Sequence, residues 1–548
     1  MQVSQAVGET LARVGVDRVF GVVGSGNFAV TNALHASGAP FLAARHEGGA
    51  VCMADGYARV SGRVGVCSVH QGPGLTNTIT GLTEAAKART PLLILAADTP
   101  AAALRSNFRI DQDRLVASVG AIPERLHGPA SAPADAVRAY RRARVERRPV
   151  VLMMPLDVQA AEFAGERPEA VDGPRLRHPR PPAATVSELA DLVVAAELPA
   201  IIAGRGAVLA GARDPLLRVG DRVGALLATS ANGNGLFAGH PYALGISGGF
   251  ASPLAAELLP QADLLLGFGA ALNQWTTRHG MLIGPQARIV HVDLEPAAIG
   301  AHRPVHLGVT GDAAETAAAL ADELDRRGHQ AAGFRTAALA ERIRTRRWRD
   351  EPYQDAGTAE HIDPRTLSIM LDDLLPAERT VAIDSGHFMG YPAMYLPVPD
   401  PEAFVFTQAF QSIGLGVASA IGACVARPDR VTVAAVGDGG LLMALGELET
   451  VARLGLPMIV VVYNDAAYGA EVHHFRSTGQ PLDLVRFPDT DFAALARGAG
   501  ADGLTVRGPE DLGPVKDWLA RPVRPLVVDA KVVPDVCAEW LEEAFKTG

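Results

Sequence analysis

The chain has 548 residues, 48% apolar and 20% charged, with 50 Lys and Arg against 60 Asp and Glu, for a net charge of −10. That length allows about three domains, and the acidic balance sets aside nucleic-acid binding, which goes with a basic surplus. Four scattered cysteines, Cys52, Cys67, Cys424 and Cys537, have no CxxC spacing and set aside a disulfide framework and a zinc site.

The opening "MQVSQAVGETLARVGVDRVF" reads as a helix running into a strand, without the basic and apolar regions of a signal peptide. No stretch of about 18 apolar residues would span a bilayer. The expected location is the cytoplasm, with neither membrane nor nucleic acid as partner. From there the pattern is strand, glycine turn, helix. Strands are predicted at 17–26, 63–74, 91–98 and 148–157, with a helix-like stretch after the second. Residues 166–183, rich in Pro and Arg, read as a linker. Further strands are expected near 199–204, 262–270 and 287–295, then a long charged helix over roughly 313–349 and a boundary near 350–361. The last group lies at 379–386, 430–440, 457–465 and 524–532. The basic runs at 138–148 and 342–350 read as solvated helix faces.

Short apolar runs alternating with helices imply parallel sheets covered on both faces. The expected fold is α/β, with three doubly wound parallel-sheet domains at 1–165, 184–350 and 351–548, the last ending in a helix near 537–545. The first and third are candidate diverged copies.

The stretch "AVGDGG" (435–440) sets Asp438 between Gly437 and Gly439 where a buried strand ends. Ligands of open α/β sheets bind beyond such ends. Bare glycine amides suit phosphate, and a carboxylate facing phosphate needs a cation between them. The stretch therefore asks for Mg²⁺ or Ca²⁺ with oxygen ligands and a diphosphate. A surface turn is the alternative reading of GDG alone. The next strand ends at Asn464–Asp465, a separation that fits one helix and one strand, so the two strand ends can be neighbours.

This pair resembles the thiamine-diphosphate signature, GDG followed by NN. The resemblance implies a metal held by Asp438, Asp465 (where the family has a second Asn) and the carbonyl of Ala467. "ARHEGGAVCMADGYAR" (44–59) resembles the glutamate stretch of acetolactate-synthase-like thiamine enzymes. There the glutamate, here Glu47, bonds the aminopyrimidine N1′ and promotes the imino tautomer that takes the thiazolium C2 proton. A buried carboxylate with a raised pKa suits that work. The likeness spans nearly the whole chain and implies a pyrimidine-binding, a central Rossmann-like and a diphosphate-binding domain. It also implies a homodimer or homotetramer with sites between subunits.

On the same resemblance, Ile413 is the apolar wedge under the cofactor, while the Gln411 carbonyl and Ile413 amide hold the pyrimidine edge. Ser385, Gly386 and His387 form a diphosphate-contacting loop. Gly437, Gly439, Gly440, Tyr468 and Gly469 complete the cofactor-binding set. Ser25 and His70 match a Ser and a His of benzoylformate-decarboxylase-like enzymes, and Glu471 a proton-relay glutamate of pyruvate-decarboxylase-like ones. The implied cofactors are thiamine diphosphate and Mg²⁺; FAD in the central domain, found in some relatives, is the minority reading. The expected reaction is decarboxylation of a 2-oxo acid followed by carboligation to an aldehyde or ketone acceptor. Simple decarboxylation is the alternative, and a non-catalytic subunit the third reading.

Overall fold

The computed structural model describes residues 1–165 and 177–544, so most of the candidate linker at 166–183 lies outside the described residues. Eighteen strands form three parallel sheets. The first contains β1 (Val19–Gly21), β2 (Phe41–Ala43), β3 (Gly65–Val69), β4 (Leu92–Asp98), β5 (Ile122–Arg125) and β6 (Pro149–Pro155). The second contains β7 (Pro199–Ala203), β8 (Leu226–Thr229), β9 (Ala243–Ile246), β10 (Leu264–Phe268), β11 (Arg288–Asp293) and β12 (Leu307–Thr310). The third contains β13 (Arg379–Ile383), β14 (Phe404–Phe406), β15 (Val431–Gly437), β16 (Met458–Asn464), β17 (Asp502–Val506) and β18 (Leu526–Lys531).

The strand orders are β2-β1-β3-β4-β6-β5, β12-β11-β10-β7-β8-β9 and β14-β13-β15-β16-β18-β17. The first and third sheets thus share one topology. The second has the order of a dinucleotide-binding fold, with its switch point between β7 and β10. The central strands are apolar and buried along their whole length, as β4, β6, β7, β10 and β16 show. Such strands can exist only with helices on both faces.

One predicted element is corrected. The long helix over 313–349 is two helices, Ala313–Arg326 and Ala337–Thr345. Gly328 and Gly333 between them take φ of +66° and +50°, a left-handed backbone that ends a helix. The Gly333 turn packs on the Gly224 backbone, and Phe334 N donates to Gly224 O at 3.0 Å.

Sheets one and three pack through topologically equivalent helices. Glu47–Ser61 follows β2, and Gly416–Ala426 follows β14. Gly56 lies on the Ser419 backbone and Gly422 on the Met53 backbone, so a Cβ at either would strike a carbonyl oxygen. The contact is reciprocal: Gly56 and Gly422 hold the same place in the two helices, as do Met53 and Ser419. No described helix is long and apolar enough to cross a membrane.

Candidate active site

Two groups of predicted residues gather at carboxyl ends of strands, one on sheet three and one on sheet one. On sheet three, β15 and β16 are paired in register through Gly437 and Tyr463, which makes Asp438 and Asp465 neighbours. Asp438 opens the helix Asp438–Met443 and is 7% exposed. Its own amide and those of Gly439 and Ala467 bond it, yet burial pushes its carboxyl up to about 6. Asp465 is pushed up to about 8, first by burial and then by the Asp438 charge. Its Oδ1 accepts from Ala467 N at 3.2 Å.

The one ion-pair contact of either carboxylate among the described residues is His387 Nδ1, 3.9 Å from Asp465 Oδ2. Burial, and then the nearby His473, push His387 down to about 3, so it brings no charge. Two buried carboxylates without a compensating cation, beside a carbonyl turn at Ala467, form the hard oxygen set that Mg²⁺ or Ca²⁺ takes. A Cβ at Gly469 would strike Asp465 Oδ2. The Tyr468 ring covers Gly439, where a Cβ would come within 2.5 Å of it. Asn464 is 2% exposed and structural: its amide bonds Asp489, Thr490 O and Asp529, and its Oδ1 accepts from Ala466 N.

The turn at 411–416 is fixed by a residue that the sequence reading missed. Asp384, 1% exposed, accepts the amides of Ser385, Gly414 and Leu415 at 2.8, 2.9 and 3.2 Å. Gln411, with φ +64°, is exposed, and Ile413 beside it is half-buried. Ser385 Oγ donates to Gln408 Oε1 at 3.0 Å and lies 3.4 Å from Gln411 O. Gly386, which precedes the buried His387, has φ +144°, a backbone that favours glycine. His387 Nε2 lies 3.2 Å from Ala538 N and 3.1 Å from Val536 O. Trp540 Nε1 donates to His387 O at 3.1 Å, so the C-terminal segment anchors this loop.

On sheet one, Glu47 opens the helix Glu47–Ser61 and is half-buried; the full burial expected of it is not met within one chain. Its Oε2 accepts from Asn77 Nδ2 at 2.9 Å. Gly74 separates Glu47 from His70: a Cβ there would lie 3.6 Å from Glu47 Oε1 and 3.1 Å from His70 Cβ. His70 Nδ1 lies 2.9 Å from Gln71 O, which can only accept, so Nδ1 carries the proton. Nε2, the other ring nitrogen, lies 3.4 Å from Ser25 Oγ. The Phe108 ring meets His70 edge to face at 5.0 Å. Glu471 is not part of this group; it is exposed in the first turn of the helix Gly469–Phe475, on sheet three.

Within one chain the two groups do not meet. The C-terminal end of the Glu47–Ser61 helix lies against the Gln411 turn. Arg59 donates to Phe406 O at 3.0 Å and pairs with Glu84 at 2.9 Å, and Glu84 accepts from Phe410 N at 2.6 Å. Glu47 is twelve residues away at the other end, about 18 Å along the axis at 1.5 Å per residue.

A cavity of 1780 Å³ lies at the switch point of the middle sheet. Arg205, Gly206, Gly269 and Asn273 line it, and it extends to Gln408, Gln411 and Trp540.

Two buried carboxylates beside glycine turns on one α/β sheet, and a glutamate at the head of a helix on a sheet of the same topology, suit an enzyme that holds one cofactor in two parts. The chain belongs to the thiamine pyrophosphate enzyme family. The family's N-terminal TPP binding domain matches residues 1–116, its central domain 186–320 and its C-terminal TPP binding domain 384–530. A sulfoacetaldehyde acetyltransferase of Rhodobacter capsulatus is 30% identical over 93% of this chain and 90% of its own length. An acetolactate synthase large subunit of Parasynechococcus marenigrum is 30% identical, over 92% and 83%. A probable 2-ketoarginine decarboxylase of Pseudomonas aeruginosa is 32% identical, over 95% and 91%.

Proposed function

We propose that this thiamine-diphosphate enzyme uses Mg²⁺, decarboxylates a 2-oxo acid and transfers the resulting acyl-anion equivalent to a second carbonyl compound. The observation that carries the reading is the pairing of the Asp438–Asp465–Ala467 oxygen set with the Glu47–Asn77 pair, each at the carboxyl end of its own sheet. Thiamine diphosphate, when bound, supplies the nucleophilic carbon and the electron sink. Asp438, Asp465 and the Ala467 carbonyl hold the metal. Glycines 437, 439, 440 and 469 leave room for the diphosphate, beside Tyr468 and the Ser385–His387 loop. Gln411 and Ile413 seat the pyrimidine. Glu47 holds a proton at its N1′, oriented by Asn77. His70 Nε2 and Ser25 face the substrate carbonyl and move protons there. The names of two of the relatives, an acetyltransferase and a synthase, support transfer of the intermediate rather than its release.

Because about 18 Å of helix separates Glu47 from the end that meets the Gln411 turn of its own chain, the working unit is a homodimer or a pair of dimers. Each site then joins sheet one of one copy to sheet three of the other, with the domain divisions at 166–183 and near 350. The reaction has no net change of oxidation state and so calls for no redox cofactor in the cleft at the middle sheet. Glu471 reaches the site as a second proton relay only from sheet three. The Ser25–His70 pair favours a second reading, simple decarboxylation, with His70 protonating the product carbon.

The test is turnover of a panel of 2-oxo acids with thiamine diphosphate and Mg²⁺, with and without acceptor aldehydes, followed by mass spectrometry. Acceptor-dependent CO₂ release with a hydroxyketone product is expected. Aldehyde formed at full rate without acceptor replaces this reading with the second, and no CO₂ from any acid overturns both.

A further inference from the structure

Glu47 is useful only if its carboxylate is aimed, and its aim depends on the three residues that join β2 to its helix. That join is held from the other domain. Glu447, 2% exposed, accepts from Arg45 N and from His46 N, both at 3.1 Å through Oε1. Its Oε2 accepts from Thr450 Oγ1 at 2.7 Å. His46 is the N-cap of the Glu47 helix and Glu47 its first residue, so Glu447 grips the two amides just before the functional side chain. A Cβ at Gly49 would collide with Glu447 Oε1, so the sequence "HEGG" leaves the space that this carboxylate fills.

The rest of the helix Glu447–Leu454 continues the grip. Glu449 pairs with Arg45 Nε at 2.5 Å, and Arg453 donates to Ala43 O at 2.6 Å. The helix thus contacts residues 43, 45, 46 and 49. A buried carboxylate facing two backbone amides and a hydroxyl costs more to bury than a neutral amide would, and an ordinary packing contact does not call for one.

Resting on the reading of Glu47 above, we propose that Glu447 is a positioning residue for Glu47: it fixes the direction of the β2-to-helix turn and so the place of the Glu47 carboxylate at the cofactor N1′. Glu447 touches neither cofactor nor substrate. It starts nine residues after Asp438 on the same segment, so in each chain the segment that carries one site's metal ligand also aims the glutamate of the other.

The test is the rate of deuterium exchange at thiazolium C2 in the reconstituted holoenzyme, for Glu447→Gln, Glu47→Gln and the double variant. Glu447→Gln keeps the shape and one acceptor oxygen. Because displacing a reacting group by about 1 Å can cost on the order of a hundredfold, exchange and kcat are expected to fall together about tenfold or more. KM for the 2-oxo acid, the affinity for thiamine diphosphate with Mg²⁺ and the melting temperature should stay near wild type. The double variant should exchange no more slowly than Glu47→Gln alone. Gly49→Ala, which crowds Glu447 without removing it, should lower exchange in the same way and serves if Glu447→Gln does not fold.

Wild-type exchange in both Glu447→Gln and Gly49→Ala, with exchange lost in Glu47→Gln, would overturn the proposal and leave the reading of Glu47 standing. Wild-type exchange in Glu47→Gln would overturn that reading itself. Losses in the double variant that simply multiply would make Glu447 an independent structural contact and overturn the proposal too.

Discussion

The shared-site arrangement can be tested by mixing two inactive proteins. Glu47→Gln removes the proton-holding carboxylate, and Asp438→Ala removes a metal ligand. Each alone should lose nearly all turnover. The Glu47 helix is anchored at its far end to the Gln411 turn of its own chain through Arg59, Glu84, Phe406 and Phe410. With about 18 Å of helix between Glu47 and that turn, a site confined to one chain would require the helix pair to come apart. In a two-fold dimer carrying one variant of each kind, one site receives both defects and the other receives none. Unfolding and refolding an equal mixture makes half the dimers mixed, so about one quarter of wild-type activity should return. The assay is CO₂ release before and after exchange of subunits, with each variant exchanged against itself as control. No recovery from a mixture shown by mass spectrometry to contain mixed dimers would refute the arrangement, because a site within one chain leaves every subunit defective.

Other expectations follow from the same geometry. Asp465→Asn should stabilise the metal-free protein at pH 8. The Asp465 carboxyl is raised to about 8 in the fold, against an ordinary value of about 3.9, so its contribution to stability is complete below about pH 4 and lost as pH rises through 8. The advantage of the amide variant should therefore grow from pH 4 to pH 8 and reach at least about 1.4 kcal/mol, one unit's worth. A denaturation difference that does not change with pH would refute it; Mg²⁺ affinity should fall in the same variant. His70→Ala should lower kcat by about 10²–10⁴-fold, the usual worth of a positioned acid or base, with cofactor affinity unchanged; near-normal kcat would remove His70 from the chemistry. Trp540→Ala should cost about 3–5 kcal/mol and weaken cofactor binding, since Trp540 packs on Gly390 and bonds His387 O; normal affinity would separate the C-terminal helix from the diphosphate loop.

Much of this fold was legible in the sequence, and most of the strands that were missed lie at sheet edges. Seven strands were not anticipated: β2, β5, β8, β9, β12, β14 and β17. Six of them are the edges of the three sheets. An edge strand is short and partly open to solvent, as β2 and β17 are, so it lacks the long apolar run that marks a central strand. The seventh, β8, is four buried residues, too few to tell from a piece of helix. At the candidate site, Asp438 and Asp465 were readable as a pair because ligand chemistry would force such residue types into adjacent segments, and the structure makes them neighbours. Asp384 and Glu447 were not, because their partners are backbone amides. Glu447 lies 402 positions from Arg45, and no local pattern distinguishes it from Glu449 two residues on.

The reciprocal packing of Gly56 and Gly422 would make the proposed shared site a consequence of the duplicated topology. If the helices after β2 and β14 are equivalent and cross about a local two-fold, the segments preceding them lie at opposite ends of the pair. Glu47 heads one helix, and the Gln411–Ile413 turn leads into the other. Such a pair holds two half-sites apart as firmly as it holds two domains together. The residues that lock it are small or buried, among them Gly56, Gly422 and the Asp55–Arg59–Glu84 cluster at 2–3% side-chain exposure. The exposed apolar side chains Phe410, Leu442 and Met443 sit beside the Gln411–Ile413 turn and Asp438. In the proposed dimer a second copy would cover the surface beside each half-site, so completing the site and burying that surface would be one event.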